Sequence, residues 1–138
     1  TNREPAVAGS GRNARKKEAS MTKDFPQLAK DLSHAIGTLR KGATEPLQGF
    51  SALAKAATKT GTLDPKTKEL IATAISIAVR CDGCIAFHVK AAREQGASRE
   101  EILETIAMAV YMGGGPSLIY GAMTLEAWDQ FDAAGAGE

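Results

Sequence analysis

The sequence predicts an all-α domain of about six helices, and three observations carry that prediction. Apolar residues recur at spacings of three and four along most of the chain, helix start and stop signals fall between the periodic stretches, and no segment shows the two-residue alternation of a strand. With 138 residues, one folding unit is expected. Leu, Ile, Val and Phe together number 26, whereas alanines alone number 25, so the core must be built from small side chains in tightly approaching helices. Such a core buries little area per residue, which points to further burial between subunits.

Residues 1–20 hold Arg3, Arg12, Arg15, Lys16 and Lys17 with Val7 as their one large aliphatic, and are expected to be a disordered basic tail or a remnant upstream of Met21. The helical domain is assigned to 21–138. The first helix follows from Phe25, Leu28, Leu32, Ile36 and Leu39 on one face, ending near Gly42. A second starts at Thr44-Glu45-Pro46, is expected to bury Leu47, Phe50, Leu53 and Ala57, and stops at Gly61. A third opens at Asp64-Pro65 and runs to about Arg80; its stretch Leu70–Val79 lacks any charge, so this helix is expected at the centre of the domain, nearly surrounded by protein. The fourth carries Ile85, Val89 and Ala92 and closes at Gly96. Ser98 and Glu101, spaced as a capping box, start a fifth through Ile102–Met112, and the last covers Ser117 to about Phe131. Gly113 to Gly115 read as the turn between these two, since no Lys-Ser/Thr follows as a phosphate loop would need.

Charge and composition exclude several functions. There are 17 Lys+Arg against 16 Asp+Glu, a net charge of +1, without the clustered excess of cations that binding to nucleic acid needs. The uncharged stretch 105–125 is long enough to span a bilayer, but Gly113-Gly114-Gly115-Pro116 at its middle would leave backbone groups unpaired in lipid, so no membrane partner is expected. Two cysteines three positions apart, with no secretory signal, favour a cytoplasmic setting and a redox or metal role over a structural disulfide.

The chemistry concentrates at Cys81-x-x-Cys84-x-x-x-His88. At a helix start, Cys81 and Cys84 lie about 60° apart around the axis and His88 stands one turn beyond Cys84, so two thiols and an imidazole project to one side. The unpaired N–H groups of the first turn and a neighbouring imidazole would each favour a thiolate. Such a set serves redox chemistry, half of a zinc site, or two core residues. Upstream, Glu69, Thr73, Ser76 and Arg80 form one stripe of the third helix: either a solvated face, or a carboxylate aimed at an internal pocket where it orients His88. His34 reads as a surface histidine; Met108, Met112, Met123, Trp128, Tyr111 and Tyr120 read as packing.

Glu69 followed by eleven residues and then Cys81-x-x-Cys84-x-x-x-His88 resembles the signature of AhpD-like alkylhydroperoxidases in the carboxymuconolactone decarboxylase superfamily, over roughly residues 45–132. The resemblance implies a homo-oligomer, trimer or hexamer, and thiol-dependent reduction of a hydroperoxide. Carried onto this chain it makes Cys84 the sulfur oxidised to a sulfenic acid, Cys81 the partner that closes a redox-active Cys81–Cys84 disulfide, and Glu69 with His88 the proton relay. No further cofactor is implied, and the reductant would be an external, lipoyl-like dithiol. The best-known member has a second histidine where Gly83 stands, so a relay through that position is absent here. The rival readings are a zinc-binding module using Cys81, Cys84, His88 and Glu69, and a non-enzymatic thiol sensor; lactone decarboxylation is not associated with the dithiol.

Overall fold

The computed structural model describes residues 21–135, and the expected tail 1–20 lies outside them. Six helices follow one another: α1 Phe25–Gly42, α2 Thr44–Thr58, α3 Pro65–Ala78, α4 Asp82–Glu94, α5 Arg99–Gly113 and α6 Gly115–Gly135. Among the described residues there is no strand, and no helix is long and apolar enough to cross a membrane.

The starts are set by capping. Asp24 accepts from the N–H of Gln27 at 3.0 Å, Asp64 from that of Thr67 at 2.7 Å, and each is followed by proline in the first turn. Ser98 and Glu101 form the reciprocal box, with Glu101 N–H donating to the Ser98 hydroxyl at 3.1 Å and Ser98 N–H to the Glu101 carboxylate at 3.0 Å. The α3–α4 turn places Arg80 at φ 58°, and Gly114 at φ 69° joins α5 to α6.

Helix α3 packs against α2, α4, α5 and α6, but the buried aliphatic core gathers on α4. Ile85, Ala86, Val89 and Ala92 of α4 are fully buried against Phe25 and Ala29 of α1, Ile102 of α5, and Ala127, Trp128 and Phe131 of α6. Alanines let these helices approach closely. At Gly121 the approach is tighter still, since a Cβ there would stand 2.7 Å from the Ile106 methyl.

Two expectations of burial fail in the single chain. Helix α2 has no buried residue, with Phe50 70% and Leu53 64% exposed. Helix α3 buries Thr73 and Ser76 together with Ile77, whereas Ile71, Ile75 and Val79 face outward. The hydroxyls enter the interior cheaply because each donates back to its own helix, Thr73 to the Glu69 carbonyl at 2.8 Å and Ser76 to the Ala72 carbonyl at 2.7 Å. Met108, Met112 and Tyr111 of α5 are likewise exposed rather than packed, while Met123 and Tyr120 lie against the core and Trp128 is within it.

Candidate functional site

The site forms where α3 hands over to α4. The left-handed Arg80 reverses the chain, Cys81 N–H donates to the Ser76 carbonyl at 3.1 Å, and Cys81 becomes the N-cap of α4. Its Sγ accepts from the N–H of Cys84 at 3.2 Å, as a capping oxygen would. The two cysteines, with Cα atoms 5.2 Å apart, are joined in a disulfide. This turn is therefore the position at which backbone N–H groups and the positive end of the helix favour a sulfur anion when the bond opens.

One turn on, His88 meets Glu69 from α3. The imidazole Nδ1 lies 2.7 Å from Glu69 Oε2, across 19 residues of sequence. The carboxylate side chain is only 12% exposed, and the imidazole 35%. Of the two readings of the Glu69 stripe, the inward one holds: Thr73 and Ser76 are buried and Glu69 is nearly so. With Nδ1–H donating to the carboxylate, the lone pair is left on Nε2. In this disulfide form no hydrogen bond among the described residues joins His88 to either sulfur. Glu69 and His88 thus form one pair, Cys81 and Cys84 another, both anchored on the first two turns of α4.

Three residues around this turn were missed by sequence reasoning. Leu32 of α1 lies over Gly83, where a Cβ would come within 2.6 Å of the leucine Cδ1, so any side chain at this position, such as the second histidine of the resembled pattern, would require Leu32 to move aside. Asp82, between the sulfurs, forms an ion pair with Lys23, 59 residues away, while its other oxygen, Oδ1, is buried without a partner. An acidic residue inside a Cys-x-x-Cys run is visible in the sequence; its partner and the covering leucine come from the tertiary fold alone. His34 is exposed on α1, away from this chemistry.

Among the described residues no three His, Cys, Asp or Glu side chains converge as a metal cluster would. Two open cavities of about 630 and 720 Å³ lie elsewhere, the first beside Lys30, Phe87 and Phe131, the second beside Met21, Leu125 and Gln130, and neither includes a sulfur or His88.

Comparison with known proteins finds relatives in both sequence and fold. Residues 44–127 match the model of the carboxymuconolactone decarboxylase family. The apo crystal structure of a carboxymuconolactone decarboxylase family protein from Legionella pneumophila is 53% identical, superposes with a TM-score of 0.76, and is matched over 78% of this chain and 96% of its own. A family member from Thermotoga maritima, described as a candidate participant in an antioxidative response, is 30% identical with a TM-score of 0.64, over 67% of this chain and 96% of that one. An uncharacterized protein of Cupriavidus necator is 34% identical over 113 residues, 82% of this chain and all of its own length.

Proposed function

The chain belongs to the carboxymuconolactone decarboxylase family, and within it we propose that this protein is a thiol-dependent peroxidase that reduces hydroperoxides through the Cys81–Cys84 dithiol. The observation that carries the reading is the 2.7 Å Glu69–His88 contact on the helix whose first turn holds both sulfurs. It supplies an oriented base one helical turn from a sulfur placed at a helix N-terminus. The antioxidative description of the Thermotoga relative adds support.

In the reduced protein, His88, with its Nδ1–H held by Glu69, takes the proton of Cys84 through Nε2. The thiolate attacks the outer oxygen of the hydroperoxide. An S–O bond forms as the O–O bond breaks, sulfur is oxidised by two electrons, and the departing alkoxide takes a proton from Cys81 or a bound acid. The Cys81 sulfur then attacks the Cys84 sulfenic acid; water leaves and the disulfide forms. An external dithiol, lipoyl-like, reopens it through a mixed disulfide, giving up two electrons and two protons as it closes its own ring. A reducing compartment such as the cytoplasm maintains such a donor. The outward-facing apolar residues of α2 and α3 are assigned to contacts with further copies of the chain, in a trimer or hexamer.

The decisive experiment supplies a reduced lipoyl compound and an organic hydroperoxide and follows peroxide consumption. Sustained turnover that vanishes in Cys84→Ser is expected. A single disulfide-forming event without turnover would make the protein a sensor, and stoichiometric zinc in protein purified without chelator would make the residues a metal site instead.

A further inference from the structure

The turn that joins the two sulfurs also carries a charge. Asp82 is the first residue of α4, its side chain 27% exposed, its Oδ2 paired with the Lys23 ammonium and its Oδ1 buried without a partner. That carboxylate is thus compensated from one side only. Lys23 is delivered to it by an anchored segment. Thr22 donates from its N–H and its hydroxyl to the Glu126 carboxylate at 2.7 and 2.6 Å, the Gln130 amide donates to the Lys23 carbonyl at 2.6 Å, and Phe25 N–H donates to Gln130 Oε1 at 2.8 Å. Phe25 itself is fully buried. Four hydrogen bonds to α6 and a buried ring therefore fix the backbone on both sides of Lys23. A side chain so held loses less freedom on pairing than an ordinary surface lysine.

Resting on the function proposed above, we infer that Lys23 is a positioning residue of the redox turn: by neutralising Asp82 it keeps a negative charge from opposing thiolate formation at the adjacent sulfurs. A carboxylate beside a nascent anion disfavours that anion, and an ammonium on the carboxylate removes the penalty. The other charged groups of the surrounding elements are engaged elsewhere or stand in the open. Glu69 of α3 is bound to His88, Asp24 caps α1 through Gln27, Asp31 accepts from the Gln27 amide, Glu126 of α6 holds Thr22, and Arg80 and Lys30 are exposed. One uncompensated charge in the same helical turn changes the thiolate population by about three- to tenfold.

The test reads Cys84 alone, in full-length protein carrying Cys81→Ser, by the rate of alkylation with iodoacetamide between about pH 5 and 9. Lys23→Met is expected to move the midpoint of the profile upward and lower the rate at about pH 7 roughly three- to tenfold. Asp82→Asn should leave it near the parent value, because the charge that Lys23 neutralises is gone with it. Lys23→Met added to Asp82→Asn should leave the midpoint where Asp82→Asn set it, and Lys23→Arg should hold it at the parent value. An equal loss in both backgrounds, or a slower rate with an unmoved midpoint and a lowered Tm, overturns the inference, because lysine would then be propping the segment rather than balancing charge. Alkylation requires no peroxide, so the two readings fail separately. Shifted midpoints in a protein that consumes no hydroperoxide sink the peroxidase and leave the charge pair; turnover with unmoved midpoints does the reverse.

Discussion

The substitution Glu69→Gln isolates the electrostatic half of the Glu69–His88 contact. The amide oxygen introduced there still accepts from Nδ1–H, so the ring keeps its orientation and tautomer while the charge is lost. At the observed 2.7 Å the two charge centres, once His88 has taken a proton, lie roughly 4 Å apart, worth about 4 kcal/mol at an effective dielectric of about 20. The imidazole is 35% exposed, and water screens that attraction by half or more. About 1–2 kcal/mol remains, a loss of roughly five- to thirtyfold in the step that forms the imidazolium. The assay mixes reduced protein with excess organic hydroperoxide in a stopped-flow instrument and measures formation of the Cys84 sulfenic acid by trapping. His88→Ala, which removes the base itself, should cost more, about 10²–10⁴-fold. A Glu69→Gln rate within about twofold of the parent would refute the argument, since a buried carboxylate that stabilises nothing in the reaction has only a structural role.

Three further outcomes follow from the geometry. Gly83→Ala brings a methyl to 2.6 Å from the tip of Leu32, which must rotate aside at a cost of about 1 kcal/mol, read as a lowered Tm that the same substitution should not produce in a Leu32→Ala background. Phe50→Asp combined with Leu53→Asp should reduce the particle mass in analytical ultracentrifugation while leaving helical circular dichroism intact, because neither residue is buried within the chain; an unchanged mass would move the subunit contact off α2. Hydrogen bonding by Lys66, then by the Ser98 N–H, holds Glu101 below its ordinary 4.5, and the Thr67 N–H holds Asp64 below 3.8. Groups depressed in the folded state contribute stability above their unfolded values and lose it as pH falls through the folded ones, so Tm should be flat above about pH 5 and decline in more acid solution, less steeply in Lys66→Met.

The helices and their ends were legible because their causes are local. Asp24, Asp64, Ser98 and Glu101 cap the turns they precede, and the glycine run at 113–115 joins two helices through one left-handed residue. The site was legible for a related reason: Cys81, Cys84 and His88 share one helix, and a stripe of helical period led from Arg80 back to Glu69. Lys23 and Leu32 were beyond reach because they approach the turn from α1 and the segment before it, and no periodicity encodes a contact across so long a stretch of chain, 59 residues for the ion pair.

The reading of α3 failed for a more instructive reason. Apolarity states that a face leaves water, but not which protein surface covers it. On apolarity alone all of Leu70–Val79 belongs at the centre, yet only Ile77 is fully buried among its large aliphatics, Ile71, Ile75 and Val79 point away from the core of their own chain, and Glu69, Thr73 and Ser76 of the polar stripe point toward it. This orientation is what the site requires. Glu69 must face α4 to reach His88, and Thr73 and Ser76, one and two turns along the same stripe, must then be buried with it; back-bonding to their own helix makes that tolerable. Once the stripe is committed inward, the aliphatic face can be removed from water only by another molecule. The Glu69–His88 pairing and the exposed apolar surface are therefore one choice of helix rotation, and a change that turned α3 to bury Ile75 within its own chain would withdraw Glu69 from His88.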